Sequence, residues 1–187
     1  MRFFEYLFLF LFFLFTLPAR AEILLEPLVA YNLHSKLDVA REDNYSGGGT
    51  GFGGRAGYQK LGFQLGVDYL HSDLDFDDSD FGKNVAMDEF AGFVGFEFPF
   101  LIRVYGGYIF AANGDSSYRD STIRRDFELS GGTGSKFGIG FTGLPFVCIN
   151  LEYRQGEFDE YDLGNTTVNE KVKYSAYLLS VSLPFVF

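Results

Sequence analysis

Both histidines of the chain stand directly before a serine, in the triplets Leu33-His34-Ser35 and Leu70-His71-Ser72. An imidazole beside a hydroxyl is the start of a nucleophile–base pair, provided the two side chains come within hydrogen-bond reach. After the second triplet, Asp73, Asp75, Asp77, Asp78 and Asp80 crowd into "HSDLDFDDSDF". That spacing begins like a calcium loop, but the glycine and closing glutamate of an EF-hand are missing. It stands as a candidate divalent-cation loop, with a solvated acidic surface as the plainer alternative. A second acidic set, Glu157, Asp159, Glu160 and Asp162, follows later in the chain. Gly47–Gly54, "GGGTGFGG", lacks the Lys-Ser/Thr and the following helix of a phosphate-binding loop. No cofactor is expected, and no metal centre beyond that acidic candidate.

Whether these residues can act together depends on the elements that carry them. The chain alternates with period 2, and no helical stripe competes. In "FQLGVDYL", Phe63, Leu65, Val67 and Tyr69 share one face; in "IRVYGGYIF", Ile102, Val104, Tyr108 and Phe110 do. "KFGIGF" and "VCINLEYR" repeat the pattern, and Tyr177, Leu179, Val181, Leu183, Phe185 and Phe187 form the last face. Weaker segments cover Ile23–His34, Gly51–Gln59 and Glu89–Phe98, which makes eight candidate strands. Neighbouring residues of a strand point to opposite faces, so His71 and Ser72 would not pair with one another.

The connections alternate in length. Short links fall at Lys60–Gly62, Phe98–Phe100 and Leu144–Phe146, and long polar ones cover about 35–50, 71–88, 112–131 and 155–171. Three short and four long links make an eight-stranded meander with both ends on one side.

Residues 1–21 are expected to be a signal peptide: Arg2 is a basic start, Tyr6–Leu17 an apolar run, and Ala19–Ala21 a small-x-small cleavage site. The run is short for a spanning helix, and no other stretch approaches one. The barrel domain is then 22–187. Twenty-four Phe, 12 Tyr and 23 Gly are unusual for a water-soluble domain. Cys148 stands alone, so no intramolecular disulfide can form. A net charge of −10 argues against nucleic acid as a partner.

The export signal, the eight strands, the link alternation and the terminal Phe187 together resemble the small bacterial outer-membrane β-barrels, in the style of the transmembrane domain of outer-membrane protein A and its domain-less relatives. The resemblance implies an all-β, antiparallel up-and-down barrel with short periplasmic turns and long external loops. It implies an outer-membrane location in a Gram-negative bacterium, with lipid and lipopolysaccharide as surroundings and an unknown surface ligand. It also implies delivery by the barrel assembly machinery, with Phe185 and Phe187 as the assembly signal. Pro184 departs from the pattern, since proline cannot donate to a ladder and would end it early. Some such barrels are lipid A deacylases with a His–Ser site, but their fuller motif is absent.

A lipocalin-like barrel would turn the apolar face inward; a membrane barrel turns it to lipid. Large aromatics near strand ends favour the membrane: Tyr31, Tyr58, Tyr69 and Tyr153 above, and Phe98, Phe100, Phe146 and Phe185 below. So do the mid-strand charges of the opposite face, Glu26, Asp68, Glu97 and Glu152 against Arg55, Arg103, Lys136 and Arg154. An eight-stranded barrel is only just wide enough for side chains to fill, so a balanced charge set should pair and plug it. The expected function is non-enzymatic, serving envelope integrity or surface interaction; a small passive channel is the alternative.

Overall fold

The computed structural model describes residues 22–39, 45–76, 84–119, 124–163, 167–168 and 171–187. The expected signal peptide lies outside them, as do Asp77, Asp78 and Asp80.

Seven long strands come first: β1 (Glu22–Val39), β2 (Tyr45–Lys60), β3 (Phe63–Phe76), β4 (Asn84–Phe98), β5 (Ile102–Arg119), β6 (Arg124–Leu144) and β7 (Val147–Phe158). Four more follow: β8 (Glu160–Leu163), β9 (Thr167–Val168), β10 (Val172–Ser182) and β11 (Phe185–Val186). The sheet runs β5-β4-β3-β2-β1-β10-β7-β6 and closes through β5–β6, every pairing antiparallel. This is an eight-stranded barrel. β8 prolongs the wall on β6, and β9 pairs with β8.

The short links are tight for identifiable reasons. Leu61 and Gly62 both have positive φ, 51° and 84°, the pairing of a type I′ hairpin that matches strand twist. Pro145 presets the first corner of its turn, and Phe146 takes the left-handed second corner at φ 61°. Leu101, at φ 67°, closes the three-residue link between Phe98 and Ile102.

The segments read as long loops are largely strand, which corrects that expectation. β1 and β2 run to Val39 and Tyr45, β3 and β4 to Phe76 and Asn84, β5 and β6 to Arg119 and Arg124. The reason is a reversal of the alternation. Toward the short turns, large apolar residues point outward and polar ones inward. Toward the other end, Leu74, Phe76, Val85 and Met87 are buried inside while His71, Asp73, Asp75 and Asp88 lie on the outer face. A strand in water buries its apolar side, so its outer residues read as a polar loop.

Three bulges shift the facing parity near the same height. In β1 the register jumps between Asn32 and Ser35, so Leu33 and His34 both face outward. In β5 it jumps at Phe110, and in β6 at Gly131, whose φ of 69° suits glycine.

Pro184 interrupts the last strand without ending the ladder. Leu183 N–H donates to Pro27 O at 3.0 Å, and β11 then pairs again with β1. Phe187 exchanges two backbone hydrogen bonds with Ile23, at 2.9 and 3.1 Å, which extends the seam to the last residue.

Candidate functional site: a filled lumen and a belted wall

The outer wall carries an apolar belt bounded by two aromatic rims. Between them Leu65, Val67, Val94, Ile139, Leu151 and Leu179 are all exposed. At the short-turn rim Phe63, Phe96, Phe98 and Phe100 form a chain of ring contacts 4.7–5.0 Å apart. At the opposite rim Tyr69 meets Phe90 and Tyr153 meets Tyr177, each at 4.9 Å. Tyr58 belongs to the short-turn rim, three residues before Leu61 and opposite Ile23, which corrects its placement at the upper rim; β2 approaches that turn from above. Beyond the upper rim the outer face turns polar on every barrel strand, for example at Lys36, Thr50, Asp73, Asp88, Asp115, Ser135, Gln155 and Lys173.

Inside the belt lies a layer of charge. Arg103 donates to both oxygens of Glu26 at 2.7 Å and to Asn150 Oδ1 at 2.6 Å. Ser182 donates to the same glutamate at 2.5 Å. Arg55 reaches Glu152 at 3.0 Å, Glu26 at 3.4 Å and Asp68 at 3.6 Å. Lys136 pairs with Asp68 and stands 3.8 Å from Glu152. Arg154 pairs with Glu152, and with Glu89 at 2.7 Å. A fork of donors facing two carboxylate oxygens is the strong geometry for such pairs, and removing one partner strands the other.

Tyr105 lies across the middle of this layer. Its hydroxyl accepts from Arg55 at 2.8 Å, and its ring faces the Arg55 and Arg103 guanidinium carbons at 4.2 and 5.4 Å. The ring fits because Gly138 has no side chain: a Cβ there would collide with it. Tyr174 donates to Glu89 at 2.6 Å and joins the charge layer to what lies above. That next layer is apolar: Leu74, Phe76, Val85, Met87, Ile109, Leu129, Phe158 and Val172 form one buried cluster with Tyr174.

Seven of the eight expected lumen charges meet in this network. Glu97 does not, which corrects that assignment. It lies half-buried at the short-turn mouth, 3.5 Å from Gln59 Nε2, with Gln64 hydrogen-bonded to Gln59 at 3.0 Å. Its ladder neighbour Arg103 is held by Glu26 and Asn150 instead. Glu89 completes the set, so four acids still meet four bases. Glu89 and Glu97 share a face of β4, but eight residues separate them by about 26 Å along the strand. Parity alone found the face and missed the height. Tyr105 showed the right parity; nothing in the sequence marked it as the centre.

The histidine–serine triplets do not assemble a catalytic pair. His34 and His71 face outward, whereas Ser35 and Ser72 are buried on the inner side. His71 Nδ1 instead lies 2.9 Å from Asp88, which also accepts from the Tyr69 hydroxyl at 2.6 Å. The Tyr69 hydroxyl first, and His71 with it, hold the Asp88 carboxyl below its ordinary range. Asp73 and Asp75 occupy outward positions on β3, not a loop, and among the described residues no group of acids, histidines and cysteine could hold a metal ion. Gly47–Gly54 is part of β2. Phe185 and Phe187 sit at the β1 seam, on the outer surface.

A barrel with lipid-ready walls and a lumen filled by ion pairs defines a class of protein, and comparison with solved structures agrees. The fold is that of the small outer-membrane β-barrels, and the apolar belt suits it to a lipid bilayer. Neisserial surface protein A matches over 87% of this chain and 97% of its own, with a TM-score of 0.55 and 16% identity. Ail, the attachment invasion locus protein of Yersinia pestis, matches over 88% and 99%, with a TM-score of 0.56 and 14% identity. A second structure of Ail, in complex with the heparin analogue sucrose octasulfate, gives 0.55. No protein-family profile and no curated protein matches the chain.

Proposed function

We propose that the chain is a non-enzymatic protein of the Gram-negative outer membrane, a closed barrel serving envelope integrity or surface interaction. The observation that carries this reading is the two-layer filling of the lumen. A paired charge layer spans the belt, and an apolar layer caps it above. An ion crossing the barrel would have to separate buried pairs and then enter a dry cluster, both costly steps. The outward-facing histidines, with their serines on the inner side, offer no nucleophile to a substrate in the outer leaflet.

The external ends of the strands, polar outside and packed inside, offer a surface for interaction. Potassium efflux from liposomes carrying the refolded protein tests the closure: the expected rate equals that of protein-free liposomes. Efflux that scales with protein content would favour a small passive channel instead.

A further inference from the structure

Two of the short turns lack the chemistry of a hairpin tip in water. Residues 99–101 and 145–146, Pro-Phe-Leu and Pro-Phe, carry no polar side chain. Leu101 and Phe146 hold left-handed φ values of 67° and 61°, a corner that glycine or asparagine fills with less strain. Phe100, Leu101 and Phe146 are 49–80% exposed, and Phe187 at the same end is 73% exposed. Water rewards none of this. A large apolar side chain at a strained, exposed corner is stabilised only by an apolar neighbour outside the barrel.

The backbone of this end is likewise prepared for surroundings that form no hydrogen bonds. Pro99, Pro145 and Pro184 remove three N–H donors. Leu101 N–H donates to Phe98 O at 3.2 Å, and Leu101 O accepts from Thr142 N–H of the next strand at 2.9 Å. Backbone at membrane depth is tolerated when the protein itself satisfies its polar groups.

Height points the same way. Tyr108 lies seven positions from Leu101, and Tyr153 seven from Phe146. Seven residues are about 24 Å of strand, or about 18 Å of height at a tilt of about 40°. The apolar band of such barrels is about 25 Å tall, so these tips end inside it. The stacked rings of Phe98 and Phe100, 5.0 Å apart, carry the belt into the turn without a break. Among the described residues the exposed charges of this end, Glu22 and Lys60, stand on the neighbouring β1 and β2. We infer that the turns at 99–101 and 145–146 end among the acyl chains of the inner leaflet, not in periplasmic water. Their partner is phospholipid hydrocarbon. The inference rests on the belt facing lipid, and it sets how deep this end of the barrel sits.

The chain contains no tryptophan, so a single introduced one reports its own depth. Phe100→Trp, Phe146→Trp, the mid-belt reference Leu151→Trp and the upper-wall reference Lys173→Trp are each refolded into phosphatidylcholine liposomes. Acyl-brominated phosphatidylcholine quenches tryptophan in lipid, and acrylamide quenches it in water. Both tip tryptophans should match Leu151→Trp within about twofold in bromolipid quenching and fall about threefold below Lys173→Trp in acrylamide quenching. Acrylamide quenching equal to that of Lys173→Trp would place the turns in water and overturn the inference. Bromolipid quenching of Leu151→Trp in the same series would leave the lipid-facing belt standing; its absence would remove the belt and the inference together. Tip tryptophans shielded from both quenchers would mean a protein cover, such as a second copy, and would overturn the inference equally. Heat-modifiable gel migration shows whether each variant has folded. If a tip variant has not, the native chain decides by nuclear magnetic resonance. The Phe100 and Phe146 amide signals should be broadened by an acyl-chain nitroxide lipid and spared by a soluble gadolinium chelate, and the reverse would overturn the inference.

Discussion

Glu26 and Arg103 are each 1% exposed, so the energetic weight of the lumen rests on pairs that water does not reach. Removing one partner of a buried pair costs about 3–5 kcal/mol, because the other is left charged and alone. Arg103→Ala and Glu89→Ala should therefore each lower the unfolding midpoint markedly in denaturant titrations. Glu97→Ala should cost under about 1 kcal/mol, since Glu97 is half-buried and unpaired with any base among the described residues. Equal losses at positions 89 and 97 would contradict the assignment of the network. Asp88 gives a second prediction at this scale. Its carboxyl is held below the ordinary range, so its ties to Tyr69 and His71 favour the folded state when it is ionised. That contribution is intact above about pH 4 and is lost as the pH falls further. Hydrogen-exchange protection at the upper ends of β3 and β4, taken relative to the intrinsic rate at each pH, should fall below that pH in the native protein. Asp88→Asn should show no such step.

The elements were legible where one rule governed them. From Phe63 to Tyr69 and from Val147 to Tyr153, outward apolar residues alternate with inward polar ones, and those strands and their turns are found where the alternation puts them. The upper halves of the same strands were not legible, for two physical reasons. Above the rim the solvent outside is water, so the facing of apolar residues inverts, as at Leu74 and Phe76. Bulges at Leu33, Phe110 and Gly131 also shift the parity, so a strict count of two misassigns every residue beyond them. The seam between β1 and β10–β11 is the element whose failure should be most visible. Phe187 supplies both of its backbone groups to Ile23 beyond the break at Pro184. Deleting Phe187 should lower the yield of the fast-migrating folded band in unheated gels while leaving the external strand ends intact. Assembly at the native yield would argue against Phe187 as an assembly signal.

At the scale of the molecule, the barrel is a membrane protein in one half and a water-soluble one in the other. The belt turns apolar side chains to lipid and closes its interior with ion pairs. The upper wall turns polar side chains outward and closes its interior with Leu129, Phe158, Val172 and their neighbours. The charge balance of the lumen could be read from sequence because an eight-stranded barrel leaves no room for unpaired charge. The apolar cap could not, because its residues alternate with polar neighbours that read as loop, as Leu74 does with Asp73 and Asp75, and Val172 with Lys171 and Lys173. Together the two layers make closure the central claim, and single-channel recording in planar bilayers tests it most directly. A closed lumen gives no persistent current step from the inserted, heat-modifiable protein under sustained voltage. Stable, stepwise currents from the native chain would contradict it.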